Sequence, residues 1–166
     1  MISLLLLEFR GIFRRLYISI PIIIVPSIIL YFSALFSLSR SVFTFSGVFV
    51  LQLLLLVSPI FLSELIRGGW RLLYQAGLFN KLSKTVLVIM FSSVIMTAPS
   101  VSLFTVVYFL LVHNNVLPFL TFIFLLVIGI LSYSLGTFIK VLLNDYGGAF
   151  IVCLIYEAFL LPSLFM

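Results

Sequence analysis

The sequence predicts an all-α fold, a polytopic bundle of transmembrane helices, on three observations. Of 166 residues, 64% are hydrophobic and 8% are charged, where soluble domains run at about 45–50% and about 25%. Mean hydropathy is +1.44. The apolar residues gather into five runs of about 20 residues, the length that crosses about 30 Å of hydrocarbon. A water-soluble globule of this size is excluded, because a domain near 150 residues still exposes about 30% of its unfolded surface. Disorder is excluded because disordered chains are polar and charged.

Residues 1–16 read as an amphipathic helix lying in the membrane interface. At about 100° per residue, Leu5, Leu6, Phe9, Ile12, Phe13 and Leu16 share one face, and Glu8, Arg10, Gly11, Arg14 and Arg15 the other. Basic residues on the polar face suit anionic headgroups. The competing reading is that Leu4–Leu7 extends a membrane helix, which would carry three arginines into hydrocarbon at high cost. The spans follow at about 18–38 with Pro21 and Pro26, 45–63, 85–112 with Pro99 as a kink, 116–141, and 149–166. Prolines inside such helices are tolerated where neighbouring groups satisfy the freed carbonyls. Connections are short, so residues 1–166 form a single membrane domain. No positive charge precedes the first leucines, so no cleavable signal peptide is expected.

Charge gives the orientation. Arg10, Arg14, Arg15, Arg67, Arg71, Lys81, Lys84 and Lys140 fall on one side of the membrane and only Arg40 on the other. By the positive-inside rule the N-terminus is cytoplasmic and, with five spans, the C-terminus outside. The net charge of +5 is therefore a topology signal and implies no nucleic acid partner.

The longest polar stretch, 64–84, lies on the cytoplasmic side in this scheme. Within it Trp70-Arg71-Leu72-Leu73-Tyr74-Gln75-Ala76 reads as a short helix ended by Gly77. It either docks a soluble partner or is a solvated loop that fixes topology. Lys140 with Asn144-Asp145-Tyr146 reads as a second polar loop on that side.

Catalytic and metal-binding patterns are scarce. One histidine (His113) and one cysteine (Cys153) exclude multi-His sites, Cys clusters and an internal disulfide. There is no G-x-x-x-x-G-K-[ST] and no H-E-x-x-H, so the chain cradles no nucleotide phosphates and is not expected to be an enzyme. His113 is a loop residue more than a haem ligand, and Cys153 reads as a small helix-packing residue. Of the four acids, only Glu157 sits inside a span. A central acid costs about 2.5–3.5 kcal/mol on insertion scales and faces a bundle interior or aqueous cavity. It is either a substrate-pathway or proton-linked group, or an acid that glues helices through Tyr133, Ser134 or Tyr156.

The pattern Phe61-x-x-Glu64-x-x-x-Gly68-x-x-x-Leu72-Leu73, followed by Lys84 at the head of the next span, resembles the cytoplasmic loop of ABC exporter (ABC-2 type) permeases. The closer resemblance is to the haem exporter permease subunit of cytochrome c maturation, the CcmB type. Leu7-Glu8-Phe9-Arg10 with Arg14, Thr97-Ala98-Pro99, and Gly147-Gly148 through Leu161-Pro162 agree with that family in order. The chain differs at Arg67 and Arg71, where the family has acids, at Gly77, where it has proline, and in having five spans rather than six.

The resemblance implies a permease subunit that binds no cofactor itself. A separate ABC-type ATPase binds ATP beneath it, haem is handled within the complex, and other cytochrome c maturation membrane proteins are partners. The permease would pair as a dimer or hetero-oligomer, in a prokaryotic cytoplasmic membrane or an organelle inner membrane. Loop 64–84 would be the coupling helix, with Glu64, Arg67, Gly68, Trp70, Arg71 and Leu72 passing on the ATPase's movement. Two alternatives stand beside it: a generic ABC exporter permease for lipid, drug or polysaccharide, and a structural subunit of a respiratory membrane complex.

Overall fold

In hydrocarbon a chain must satisfy its own backbone hydrogen bonds, and helices do so within one segment. The computed structural model describes residue 10 and residues 13–36, 40–62, 82–112, 118–143 and 145–165. It contains five helices among these: α1 (Leu16–Phe36), α2 (Arg40–Leu62), α3 (Leu82–Val112), α4 (Pro118–Leu143) and α5 (Tyr146–Phe165). The described residues include no strand. Four stretches, Leu16–Phe36, Thr44–Leu62, Ile89–Leu111 and Phe119–Leu143, are long and apolar enough to cross a membrane. The fifth helix has a shorter described apolar stretch, Tyr146–Phe159, although its 20 residues reach about 30 Å at about 1.5 Å per residue.

Most boundaries lie within three residues of the expected spans, and the differences have local causes. Pro118 is the first residue of α4, where its missing N–H is no loss and its fixed φ suits a helix start. The fifth helix begins at Tyr146 rather than 149 because Asp145 caps it: the Gly148 N–H donates to Asp145 Oδ2 at 2.6 Å, which makes the Gly-Gly pair helical. The second begins at Arg40 rather than 45. Of the expected interfacial helix, Arg10, Phe13 and Arg14 are helical and exposed; residues 1–9, 11 and 12 lie outside the described residues. Arg15 forms a turn, and its carbonyl accepts the Ile18 and Ser19 N–H groups at 2.8 and 3.0 Å as α1 begins.

Helices α1, α2, α4 and α3 form a ring in that order, and α5 lies against α2 and α4. The most enclosed is α2: 61% of its span is buried, against 28–33% for the other three spans. One apolar cluster, including Leu30, Leu51, Leu55, Met96, Phe104 and Tyr133, fills the ring. A second, of Leu56, Val57, Ile60, Ile139, Ala149 and Cys153, joins α5 to α2 and α4. Phe36, Phe119, Phe124 and Phe159 point outward, as suits side chains solvated by lipid tails.

The crossing of α4 over α2 depends on Gly136. A methyl group there would collide with the Leu56 carbonyl oxygen and lie 3.1 Å from the Pro59 ring. Pro59 has no N–H for the Leu55 carbonyl four residues back. The neighbouring Ser58 hydroxyl donates to that carbonyl at 2.9 Å, so the proline is accommodated within hydrocarbon.

The Gly136→Ala variant should lose about 1–3 kcal/mol, the usual penalty for forcing extra volume into a packed interface. Thermal unfolding in detergent should show a lower Tm, with Gly136→Leu worse. An unchanged Tm would mean that α4 does not pack this closely on α2.

Candidate functional site

Two polar regions stand out in an otherwise apolar bundle, one at a helix end and one deep within it. At the end where α1 begins and α2 finishes, Arg15 Nη1 donates to the Phe61 carbonyl. That carbonyl belongs to the last turn of α2, where carbonyls lack intrahelical partners and the helix dipole favours a cation. Arg15 thus ties the entry of α1 to the exit of α2. On the same side, Lys140 lies in the last turn of α4 and is 3% exposed. Its ammonium stands 3.5 Å from the centre of the Tyr146 ring, a cation–π contact.

The expected polar loop from Lys140 to Tyr146 is therefore corrected. Lys140 is a helix residue of α4, and Tyr146 opens α5; only Asn144 and Asp145 lie between the helices. Asp145 is exposed. The hydrogen bond from the Gly148 backbone, aided by those from Gly147 and Tyr146 and by the Lys140 charge, holds its carboxyl below the ordinary carboxylate range.

Inside the bundle, hydroxyl groups are numerous and mostly self-satisfied. On α3 the Ser92, Ser93, Thr97, Ser100 and Thr105 hydroxyls donate to carbonyls three or four residues back, at 2.7–3.0 Å. Thr137 does the same on α4, to Tyr133 at 2.9 Å. Such back-bonding satisfies each hydroxyl's donor within its own helix.

Glu157 is different. It is 3% exposed and falls on the α5 face that carries Ala149 and Cys153 at four-residue spacing, the face packed on α2 and α4. Its Oε1 is buried and has no hydrogen-bond partner among the described residues, as is true of Ser27 Oγ. Gln52 on α2 and Tyr133 on α4 are also buried.

These four residues share a depth. Ser27 is eleven residues from the start of α1, Gln52 ten from the end of α2, Tyr133 ten from the end of α4 and Glu157 eleven from the start of α5. Each is therefore about 15–16 Å from its helix end at about 1.5 Å per residue, half of a hydrocarbon layer of about 30 Å. Those ends lie together: Arg15 meets Phe61, Gly136 meets Leu56 and Pro59, and Lys140 meets Tyr146.

Of the residues singled out from sequence, Glu157 is buried inside a helix as expected. Cys153 is fully buried in the second apolar cluster, as a packing residue should be. Glu64, Arg67, Gly68, Trp70, Arg71, Leu72 and His113 lie outside the described residues. Among the described residues no three of His, Cys, Asp and Glu come together to hold a metal ion. Sequence reasoning missed Gln52 and Ser27. The signal for Gln52 was present: a lone amide within Leu51-Gln52-Leu53-Leu54-Leu55-Leu56.

The chain matches no family model, no curated protein and no solved structure.

The Asp145 cap makes a pH prediction. A carboxyl whose folded value is depressed stabilises the fold above its unfolded value of about 3.9 and loses that contribution as pH falls through the folded value. The wild-type Tm should therefore fall on acidification in that range, and Asp145→Asn should flatten this dependence while keeping a capping oxygen. Asp145→Ala should lower the Tm at neutral pH. A Tm for Asp145→Ala equal to wild type would contradict the cap.

Proposed function

We propose that the chain is the transmembrane permease subunit of an ABC transporter, of the haem-handling type used in cytochrome c biogenesis. In this reading it lies in a prokaryotic cytoplasmic membrane or an organelle inner membrane with its N-terminus cytoplasmic. It performs no chemistry. ATP is hydrolysed by a separate ATPase subunit, and loop 64–84 couples that subunit to the membrane helices.

The observation that carries this reading is the place of α2. The most enclosed span of the bundle ends at Leu62, two residues before the stretch whose Glu64, Gly68 and Leu72 resemble the coupling loop of exporter permeases. A rotation or shift imposed on that loop acts at once on the helix that α1, α4 and α5 all pack against. Switching by rigid-body movement of packed helices needs such a shared element, because close-packed interfaces shift between discrete arrangements. The Arg15–Phe61 link joins the N-terminal segment to the same point. The basic residues Arg10, Arg14, Arg15 and Lys140 mark this end as cytoplasmic by charge.

The test is gentle purification of the tagged full chain from its native membrane, with mass spectrometry of what accompanies it. A stoichiometric ABC-type ATPase is expected, together with haem-handling membrane proteins. Deleting Trp70–Gln75 should abolish ATPase association while leaving the Tm within a few degrees of wild type. Respiratory-complex subunits in place of an ATPase, or ATPase binding that survives the deletion, would refute the proposal.

A further inference from the structure

We infer that Glu157 is a proton-binding site at the bilayer midplane, a carboxyl that carries a proton in the packed bundle and exchanges it when α5 moves against α2 and α4. The inference concerns this chain's own residues and stands apart from the transporter reading.

Its basis is geometric. Glu157 is 3% exposed, eleven residues along α5, and its Oε1 meets no hydrogen-bond donor among the described residues. A carboxylate is an acceptor only, whereas a protonated carboxyl both donates and accepts. An isolated carboxylate in hydrocarbon is the costlier form, and a buried acid without a counter-charge takes up a proton instead.

Among the described residues the titratable neighbours provide no counter-charge at this depth. From Val42 to Leu62, α2 has no titratable residue. From α4 come Tyr133 and Lys140. Tyr133 is neutral. The Lys140 ammonium is placed over the Tyr146 ring, at the opposite end of the eleven residues that separate Tyr146 from Glu157, or about 16 Å. That is far beyond ion-pair distance. On α5 itself, Cys153 lies one turn below and Tyr156 is exposed.

The layer around Glu157 suits exchange better than permanent burial. Gln52 lies at the same depth on α2, one turn before Leu56 of the cluster that receives α5, and an amide can bond a carboxyl in either protonation state. A purely structural acid would be expected to have both oxygens engaged, as the hydroxyls of α3 are. An orphaned oxygen instead leaves a place for a donor, supplied when the helices repack. Helix α5 is also the outermost element, touching only α2 and α4 substantially, so a small shift of it changes the surroundings of Glu157 without dismantling the ring.

The decisive experiment is infrared difference spectroscopy of the full chain in phosphatidylcholine–phosphatidylglycerol vesicles as the buffer is stepped from acid to alkaline. Glutamates are isotopically labelled at the side-chain carboxyl carbon. A protonated-carboxyl C=O band sensitive to the label should diminish as pH rises, with a matching gain of carboxylate signal. In a Glu8→Gln/Glu64→Gln background, adding Glu157→Gln should remove it completely, and adding Glu157→Asp should retain a titrating band without the label shift. The double variant Glu8→Gln/Glu64→Gln leaves Glu157 as the sole glutamate, so the band must persist there even where Glu157→Gln fails to fold. A label-sensitive band that stays constant at every pH would make Glu157 a permanently neutral helix-packing acid and overturn the inference. A carboxylate signal alone at every pH would overturn it equally.

Discussion

Hydrocarbon offers no hydrogen bonds, and nearly every polar detail of this molecule answers that fact. A backbone group left unpaired in lipid costs several kcal/mol, so the spans are helical and the groups that helices cannot pair are met locally. Pro59 removes a donor from the Leu55 carbonyl, and the Ser58 hydroxyl replaces it. The last turn of α2 leaves carbonyls bare, and the Arg15 guanidinium reaches Phe61. The first turn of α5 leaves N–H groups bare, and the Asp145 carboxylate accepts from Gly148. The α3 hydroxyls turn back onto their own helix. Against this background a buried oxygen without a donor among the described residues is conspicuous, which is why Glu157 matters more than its single position suggests.

The same constraint shapes the packing. Lipid tails are as apolar as leucine, so no hydrophobic force drives one span onto another, and close backbone approach has to do so. Gly136 permits α4 to approach the α2 backbone at Leu56, and Gly47 lets the Leu30 side chain of α1 pack within about 3 Å of where a β-carbon would stand. Both glycines bring neighbours onto α2, from opposite sides. The helix that leads toward the polar stretch 64–84 is thereby also the helix most tightly gripped by the rest. The coupling role proposed above rests on this grip.

Much of the fold was legible in the sequence because hydrocarbon thickness sets the length of an apolar run. All five helices were predicted, and two of the misjudged starts, those of α4 and α5, were set by single residues, Pro118 and Asp145. The apolar run of the fifth span begins at about 149, and the Asp145 cap carries the helix back to Tyr146. Lys140 reads with Asn144-Asp145-Tyr146 as a polar loop, yet it is a buried residue of α4 whose ammonium lies over the Tyr146 ring, a contact that spacing alone does not reveal. Glu157 was legible as an acid within an apolar run. Its missing partner was not, because that depends on which faces of α2 and α4 it meets. Gln52 escaped notice for a simpler reason: an uncharged amide barely perturbs hydropathy. Glu64 to Leu72, the residues proposed for coupling, fall outside the described residues, so their reading rests on sequence resemblance together with the position of α2.

Glu157 reaches the middle of a membrane only if α5 crosses it, and topology tests that most directly. Single cysteines placed at positions 10, 40, 145 and 166 in a Cys153→Ser background would be probed in intact cells with a membrane-impermeant maleimide, then again after permeabilisation. Five crossings predict that positions 40 and 166 react from outside, and that positions 10 and 145 react only once the membrane is opened. Position 166 reacting on the same side as position 145 would mean that α5 does not cross, and that Glu157 does not lie at the midplane.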